Sequence, residues 1–78
     1  MPGKQRRFKT TLASFIQALE GMRVVVELRH DTIVRGMLDS ADDEMNLTMC
    51  DAILTPLQGE RQELEWLYIK GHHIRRVL

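Results

Sequence analysis

The side chains in this sequence best able to ligate a metal are His72, His73 and Cys50. Adjacent residues on a strand point to opposite faces, so at most one of the two histidines could join Cys50, and no second cysteine or ligand-spaced motif accompanies them. Cys50 falls mid-strand between Met49 and Asp51, with no helix N-terminus or elbow motif to activate it, and reads as a small buried apolar residue rather than a nucleophile. Asp39, Asp42, Asp43 and Glu44 are dense enough to suggest calcium. They lack the spacing and central glycine of a calcium loop, which leaves a solvated acidic turn. No glycine-rich phosphate loop is present. The sequence therefore predicts a protein that is not an enzyme and holds no metal or cofactor.

Two other segments are better explained together. The first is Gly36-Met-Leu-Asp-Ser-Ala-Asp42-Asp-Glu-Met45-Asn46-Leu47, preceded by Val24-Val-Val-Glu-Leu28. The second is Leu67-Tyr-Ile-Lys70-Gly71-His-His-Ile74-Arg-Arg-Val77.

The elements that must position these segments follow from periodicity. Leu12, Phe15, Ile16 and Leu19 fall at i, i+3, i+4 and i+7 and predict a helix over 10–20, capped by Thr10 or Thr11 and ended by Gly21. From Arg23 the period becomes two, with Val24, Val26 and Leu28 on one face, and His30-Asp31 supplies a tight turn. The next strand runs from Thr32 to Asp39, and Gly36 inside its β-branched run predicts a bend or bulge. An acidic loop over 39–44 leads to a third strand, Asn46 to Leu54, facing inward through Leu47, Met49 and Ile53. Pro56 and Gly59 mark another loop. A fourth strand, Leu64 to Lys70, sets Leu67 and Ile69 on one face and Trp66 and Tyr68 on the other, and a short fifth carries Ile74 and Val77. Connections this short exclude parallel crossovers, so an antiparallel meander is expected, and its bend at a glycine favours a small, partly open barrel.

Composition sets the remaining bounds. The chain has 78 residues, with 11 Lys+Arg against 11 Asp+Glu. A domain of this size hides only about 60% of the surface its unfolded chain exposes, so a partner or second copy is the expected staple. One cysteine cannot form an intramolecular disulfide and fits a reducing compartment. The longest uncharged stretch, Thr10 to Leu19, is half a membrane span. The basic start is followed by no apolar signal core. These features predict an intracellular chain, nuclear or cytoplasmic, with no membrane partner. Lys4, Arg6, Arg7 and Lys9 make residues 1–9 a basic tail, and residues 70–78 carry Lys70, Arg75 and Arg76 without an acid, a distribution that permits an anionic partner at the chain ends and equally fits a solvated tail.

Taken with the helix, the two segments closely resemble the Sm and Sm-like (LSm) family over residues 12–78, with an Sm-like domain drawn at 10–78. The first matches the family's first motif, ending in Asp-x-x-(apolar or aromatic)-Asn; the second matches its closing apolar-basic-Gly motif. The resemblance implies a mainly β fold, an N-terminal helix followed by a strongly bent five-stranded antiparallel barrel of the Sm (SH3-like) type. It also implies a ring of Sm or LSm subunits, usually seven, joined through the fourth and fifth strands, which puts Trp66, Tyr68, Ile74 and Val77 at the subunit interface. In such a ring each subunit offers one nucleotide pocket for U-rich single-stranded RNA. Carried onto this sequence, Asn46 reads the base edge, Asp42 orients the Asn46 amide, and Met45 and the Lys70 stem sandwich the base. The Lys70 ammonium faces phosphate, and Gly71 permits close backbone approach.

This sequence has Met45 where the family often has an aromatic or His, as in its D-type subunits, and Lys70 where Arg is frequent. The Asp42-x-x-Met45-Asn46 string together with Lys70-Gly-His-His-Ile-Arg75 looks most like the Sm-like subunit of the nuclear particle that processes histone messenger RNA 3′ ends. Spliceosomal and RNA-decay rings and a homo-oligomer are the alternatives within the family, and a protein-interaction scaffold is the alternative outside it. Asp42 and Asn46 could also simply satisfy the backbone of a tight loop. Trp66 and Tyr68 could be shielded by the chain's own helix.

Overall fold

The structure, a computed structural model, describes residues 13–78. The basic segment 1–9, the candidate caps Thr10 and Thr11, and Leu12 lie outside the described residues.

A helical segment, α1 (residues 13–17), leads into five strands: β1 (Arg23–Leu28), β2 (Thr32–Ala41), β3 (Leu47–Thr55), β4 (Gln62–Ile69) and β5 (Ile74–Val77). All neighbouring strands are antiparallel, in the order β4-β3-β2-β1-β5. The expected meander therefore holds from β1 to β4 and then breaks. β5 leaves β4 and pairs with β1 instead, and this is what curls the sheet into a barrel with β4 and β5 as its two edges.

Three bulges bend the sheet, each by giving one strand an extra residue. Arg35 faces Ile53 and Met37 faces Cys50, so Asp51 and Ala52 of β3 stand opposite Gly36 alone. The bend lies where the sequence placed it, but the additional residue belongs to β3, where Asp51 takes a positive φ of 48°. Gly36 is required by contact rather than conformation: a Cβ there would lie 2.9 Å from the Ala52 Cα and 3.1 Å from the Cys50 oxygen. The bulge also shifts the alternation of β3. Leu47, Met49 and Ala52 are buried, whereas Ile53, expected inward, is only half-buried.

A second bulge at Asp39 carries β2 on to Ala41, so residues 39–41 belong to a strand rather than to the expected acidic loop. The third, at Arg75, explains how Ile74 and Val77, three residues apart on a strand, both pack against the core.

The core joins Val24 and Val26 of β1 to Val34 and Leu38 of β2, Leu47 and Met49 of β3, and Ile69 of β4. Helix α1 covers one end through Ala13, which is 3% exposed, with Ile16 and Leu19 partly buried. Phe15, expected on that face, is instead 70% exposed. The face is rotated because Gln17 and Glu20 turn toward β2. Gln17 Nε2 donates to the Ala41 carbonyl at 3.1 Å, and the Ala41 N–H donates to Glu20 Oε2 at 2.9 Å. Gly21 ends the segment with φ +86°, as the sequence suggests. Cys50, expected to be buried, is half-buried on the outer side of the β3–β4 pair opposite Trp66.

Candidate nucleic-acid interface

Between β2 and β3 the chain must reverse within residues 42–46, and Asp42 organises that reversal. Its Oδ1 accepts from the backbone N–H of Glu44 at 2.8 Å and of Asn46 at 3.0 Å. Its Oδ2 accepts from Asn46 Nδ2 at 2.9 Å. Backbone bonds close the loop, Met45 N to the Asp42 carbonyl and Asp42 N to the Asn46 carbonyl, both at 3.1 Å. The closure forces Met45 into the left-handed region at φ 66°. These bonds to Asn46, side chain first and then backbone, hold the Asp42 carboxyl below its ordinary value of 3.8 against the opposing effect of desolvation, and the Glu44 bond adds to them.

The turn after β4 completes the arrangement. Asn46 Oδ1 accepts from the Gly71 backbone N–H at 2.8 Å. A Cβ on Gly71 would lie 2.5 Å from the Glu44 carbonyl oxygen and 3.0 Å from that of Met45. The close approach that needs a glycine is therefore to the chain's own β2–β3 loop.

Asp42, Met45, Asn46 and Gly71, separated in sequence, thus form one hydrogen-bonded cluster. Lys70 enters it beside Gly71, with an exposed side chain that has no ion-pair partner among the described residues. An amide side chain has two N–H donors and two acceptor lone pairs. Asp42 takes one N–H and Gly71 takes one lone pair, leaving Asn46 one donor and one acceptor. The amide cannot be reversed, because Asp42 offers it only an acceptor and Gly71 only a donor.

The interface candidates divide. Trp66 and Tyr68 stand 61% and 48% exposed on edge strand β4, clear of the helix cover considered for them, whereas Ile74 and Val77 on β5 lie partly against the chain's own core. Sequence reasoning missed Gln17 and Glu20. Their spacing of three places them on one helical face, but only the fold shows Gln17 also reaching Asp43 Oδ1 at 3.3 Å, so that α1 braces the loop. His72, His73 and Cys50 form no metal cluster: no group of three His, Cys, Asp or Glu suited to a metal occurs among the described residues. No helix among them is long and apolar enough to cross a membrane.

Comparison with known proteins places this geometry. The small nuclear ribonucleoprotein Sm D3 of Schizosaccharomyces pombe is 39% identical over 59 residues, covering 76% of this chain and 61% of that protein. The chain spans 61% of that protein's length, 43% of the Caenorhabditis elegans Sm D3 and 52% of the LSM complex subunit lsm4 of Schizosaccharomyces pombe. Among solved structures, the P. aerophilum SmAP1 heptamer superposes with a TM-score of 0.74 at 28% identity, covering 86% of this chain and 89% of its own. The Pyrococcus abyssii Sm protein in complex with a uridine heptamer gives a TM-score of 0.74 at 20% identity, covering 82% and 90%, a likeness of fold alone. Residues 14–78 match the LSM domain, and with the bent five-stranded barrel and the Asp42–Asn46–Gly71 cluster this chain belongs to the LSM family.

Proposed function

We propose that this chain is a non-enzymatic, intracellular subunit of an Sm-type ring that binds U-rich single-stranded RNA, one base per subunit. The observation that carries the reading is the half-used Asn46 amide, fixed by Asp42 Oδ2 at 2.9 Å and the Gly71 N–H at 2.8 Å. What remains of it, one donor beside one acceptor, complements the N3–H and adjacent carbonyl of uracil. Because the amide cannot flip, donor and acceptor keep their places, and a base lacking the matching edge leaves one of them unpaired. Met45 and the Lys70 stem flank the base, and the Lys70 ammonium meets phosphate.

Stacking contributes about 1–3 kcal/mol per base, so one pocket binds weakly and a ring of pockets threaded by one strand binds tightly. Two relatives of this fold support the ring and the ligand: one is a heptamer and another holds a uridine heptamer. The finer reading is a D-type-like subunit of the particle that processes histone messenger RNA 3′ ends. The Asp42-x-x-Met45-Asn46 string and the similarity to Sm D3 support it.

The test is the double substitution Asn46→Ala with Lys70→Ala. Lost oligouridine affinity with an intact ring is the expected result. Undiminished binding overturns the pocket assignment and leaves the scaffold reading, in which the barrel only joins proteins.

A further inference from the structure

The residues that follow the pocket along the chain take no part in it. Gly71, whose amide meets Asn46, opens a 3-10 turn, Gly71–His73, in which the two histidine rings stand edge to face with centroids 4.2 Å apart. Opposite them, the β1–β2 turn Arg29–Asp31 holds His30 and Asp31 in the left-handed region at φ 63° and 55°. Leu28, Arg29, His30, Thr32, His72 and His73 line one open cleft of about 400 Å³ between the two turns.

Every polar side chain on that wall can donate: a guanidinium, three imidazoles and a hydroxyl. No carboxylate lines it. The acids on the adjoining elements are engaged elsewhere, Asp31 Oδ1 by Arg75 at 3.4 Å and Glu27 by Arg76 at 3.1 Å. Consecutive positive φ angles are what a tight hairpin turn requires, and His and Asp are among the non-glycine residues that tolerate them. A wall that holds a guanidinium, can donate from every polar side chain and carries no carboxylate suits an anion.

We infer that this cleft is a second RNA contact, taking a backbone phosphate of the strand whose base sits against Asn46. The inference rests on the RNA-binding reading of the pocket. The cleft begins at His72, one peptide beyond Gly71 and so about 3.8 Å along the chain, within reach of the same nucleotide or its neighbour. The phosphate meets the Arg29 guanidinium, with imidazole N–H groups and the Thr32 hydroxyl as further donors.

The experiment is fluorescence anisotropy of a short labelled oligouridine with the purified ring at one fixed pH, over a salt series. The proteins compared are the wild type, Asn46→Ala, Arg29→Gln and Arg29→Lys. Arg29→Gln is expected to weaken binding about tenfold and to lower the slope of log affinity against log salt by about 0.7, the value of one phosphate contact on a single strand. Arg29→Lys is expected to keep the slope, and ring mass and circular dichroism should be unaltered in both. An Arg29→Gln ring whose affinity and salt slope equal those of the wild type overturns the cleft assignment. If Asn46→Ala still weakens binding in that case, the pocket reading stands without the cleft. A wild type that does not bind oligouridine overturns both.

Discussion

Asn46 and Gly71 are 25 residues apart in the chain, and a single 2.8 Å hydrogen bond from the Gly71 N–H to Asn46 Oδ1 joins the two loops that carry them. Because Asp42 holds the other end of the same amide, the pocket is shaped before any ligand arrives. Little ordering remains to be done on binding, which favours affinity.

Gly71→Ala tests that joint. The added methyl would meet the Glu44 carbonyl oxygen at 2.5 Å and the Met45 oxygen at 3.0 Å, and neither backbone atom can rotate away. The loops must part, the Asn46 bond is lost, and the cost is about 1–3 kcal/mol. Chemical denaturation at fixed protein concentration reads the loss. Oligouridine affinity should fall further than stability alone requires, because the freed Asn46 amide can rotate.

Asp42→Asn tests the charge at the centre of the loop. The folded carboxyl is held below 3.8 by its bonds to Asn46 and Glu44. A depressed carboxylate stabilises the fold above its unfolded value and loses that contribution as pH falls through the folded one. The wild type should therefore unfold at a higher temperature than Asp42→Asn at neutral pH. The gap should stay constant down to about pH 4 and close only below it. A gap that already narrows between pH 7 and pH 5 would contradict this assignment. Asp42 is exposed, so the gap is expected to be small.

Much of this was legible in the sequence, for physical reasons that differ by residue. Val24 and Val26 alternate with Arg23 and Glu27, and that period alone fixes which face of β1 is buried. Asp42, Met45, Asn46, Lys70 and Gly71 were legible through family resemblance, and the fold brings them together. Ile53 was misplaced because alternation assumes an unbroken strand, and the extra residue at Asp51 reverses it. Phe15 was misplaced because hydrophobicity ranks it for the core, whereas the helix turns Gln17 and Glu20 to the sheet to satisfy the backbone of Ala41. The pairing of β5 with β1 was not legible from the connections, whose length does not say which edge the next strand reaches; only the resemblance, in giving the fourth and fifth strands to the subunit contacts, pointed to β4 and β5 as the two edges.

Gly36→Ala probes the bend. Its methyl would press on the Ala52 Cα at 2.9 Å, the Ala52 Cβ at 3.1 Å and the Cys50 oxygen at 3.1 Å, inside a sheet that cannot open locally. A loss of about 1–3 kcal/mol is expected from overpacking. Gly21→Ala is the control. Nothing lies within 4 Å of a Cβ there, and only the strain of its positive φ, about 1 kcal/mol, is added. A larger loss at Gly21 than at Gly36 would show that backbone conformation, not crowding, sets the glycine requirement at the bend.

The last prediction concerns the two edges. Among the described residues β4 pairs only with β3 and β5 only with β1, so each leaves one row of backbone donors and acceptors open, and β4 adds the exposed rings of Trp66 and Tyr68. An open edge with apolar side chains invites another chain. The two edges differ, so a contact between copies that joins β4 to β5 is head-to-tail and either closes into a ring or grows into a filament. Replacing Trp66 and Tyr68 by lysine removes the apolar contact and sets charge on the edge, leaving the core residues of β4, Leu67 and Ile69, untouched. Light scattering should show the assembled mass fall to that of the single chain, while circular dichroism keeps its β signature. A double variant that retains the assembled mass would place the contact elsewhere, with the exposed Phe15 of the helix the next surface to substitute.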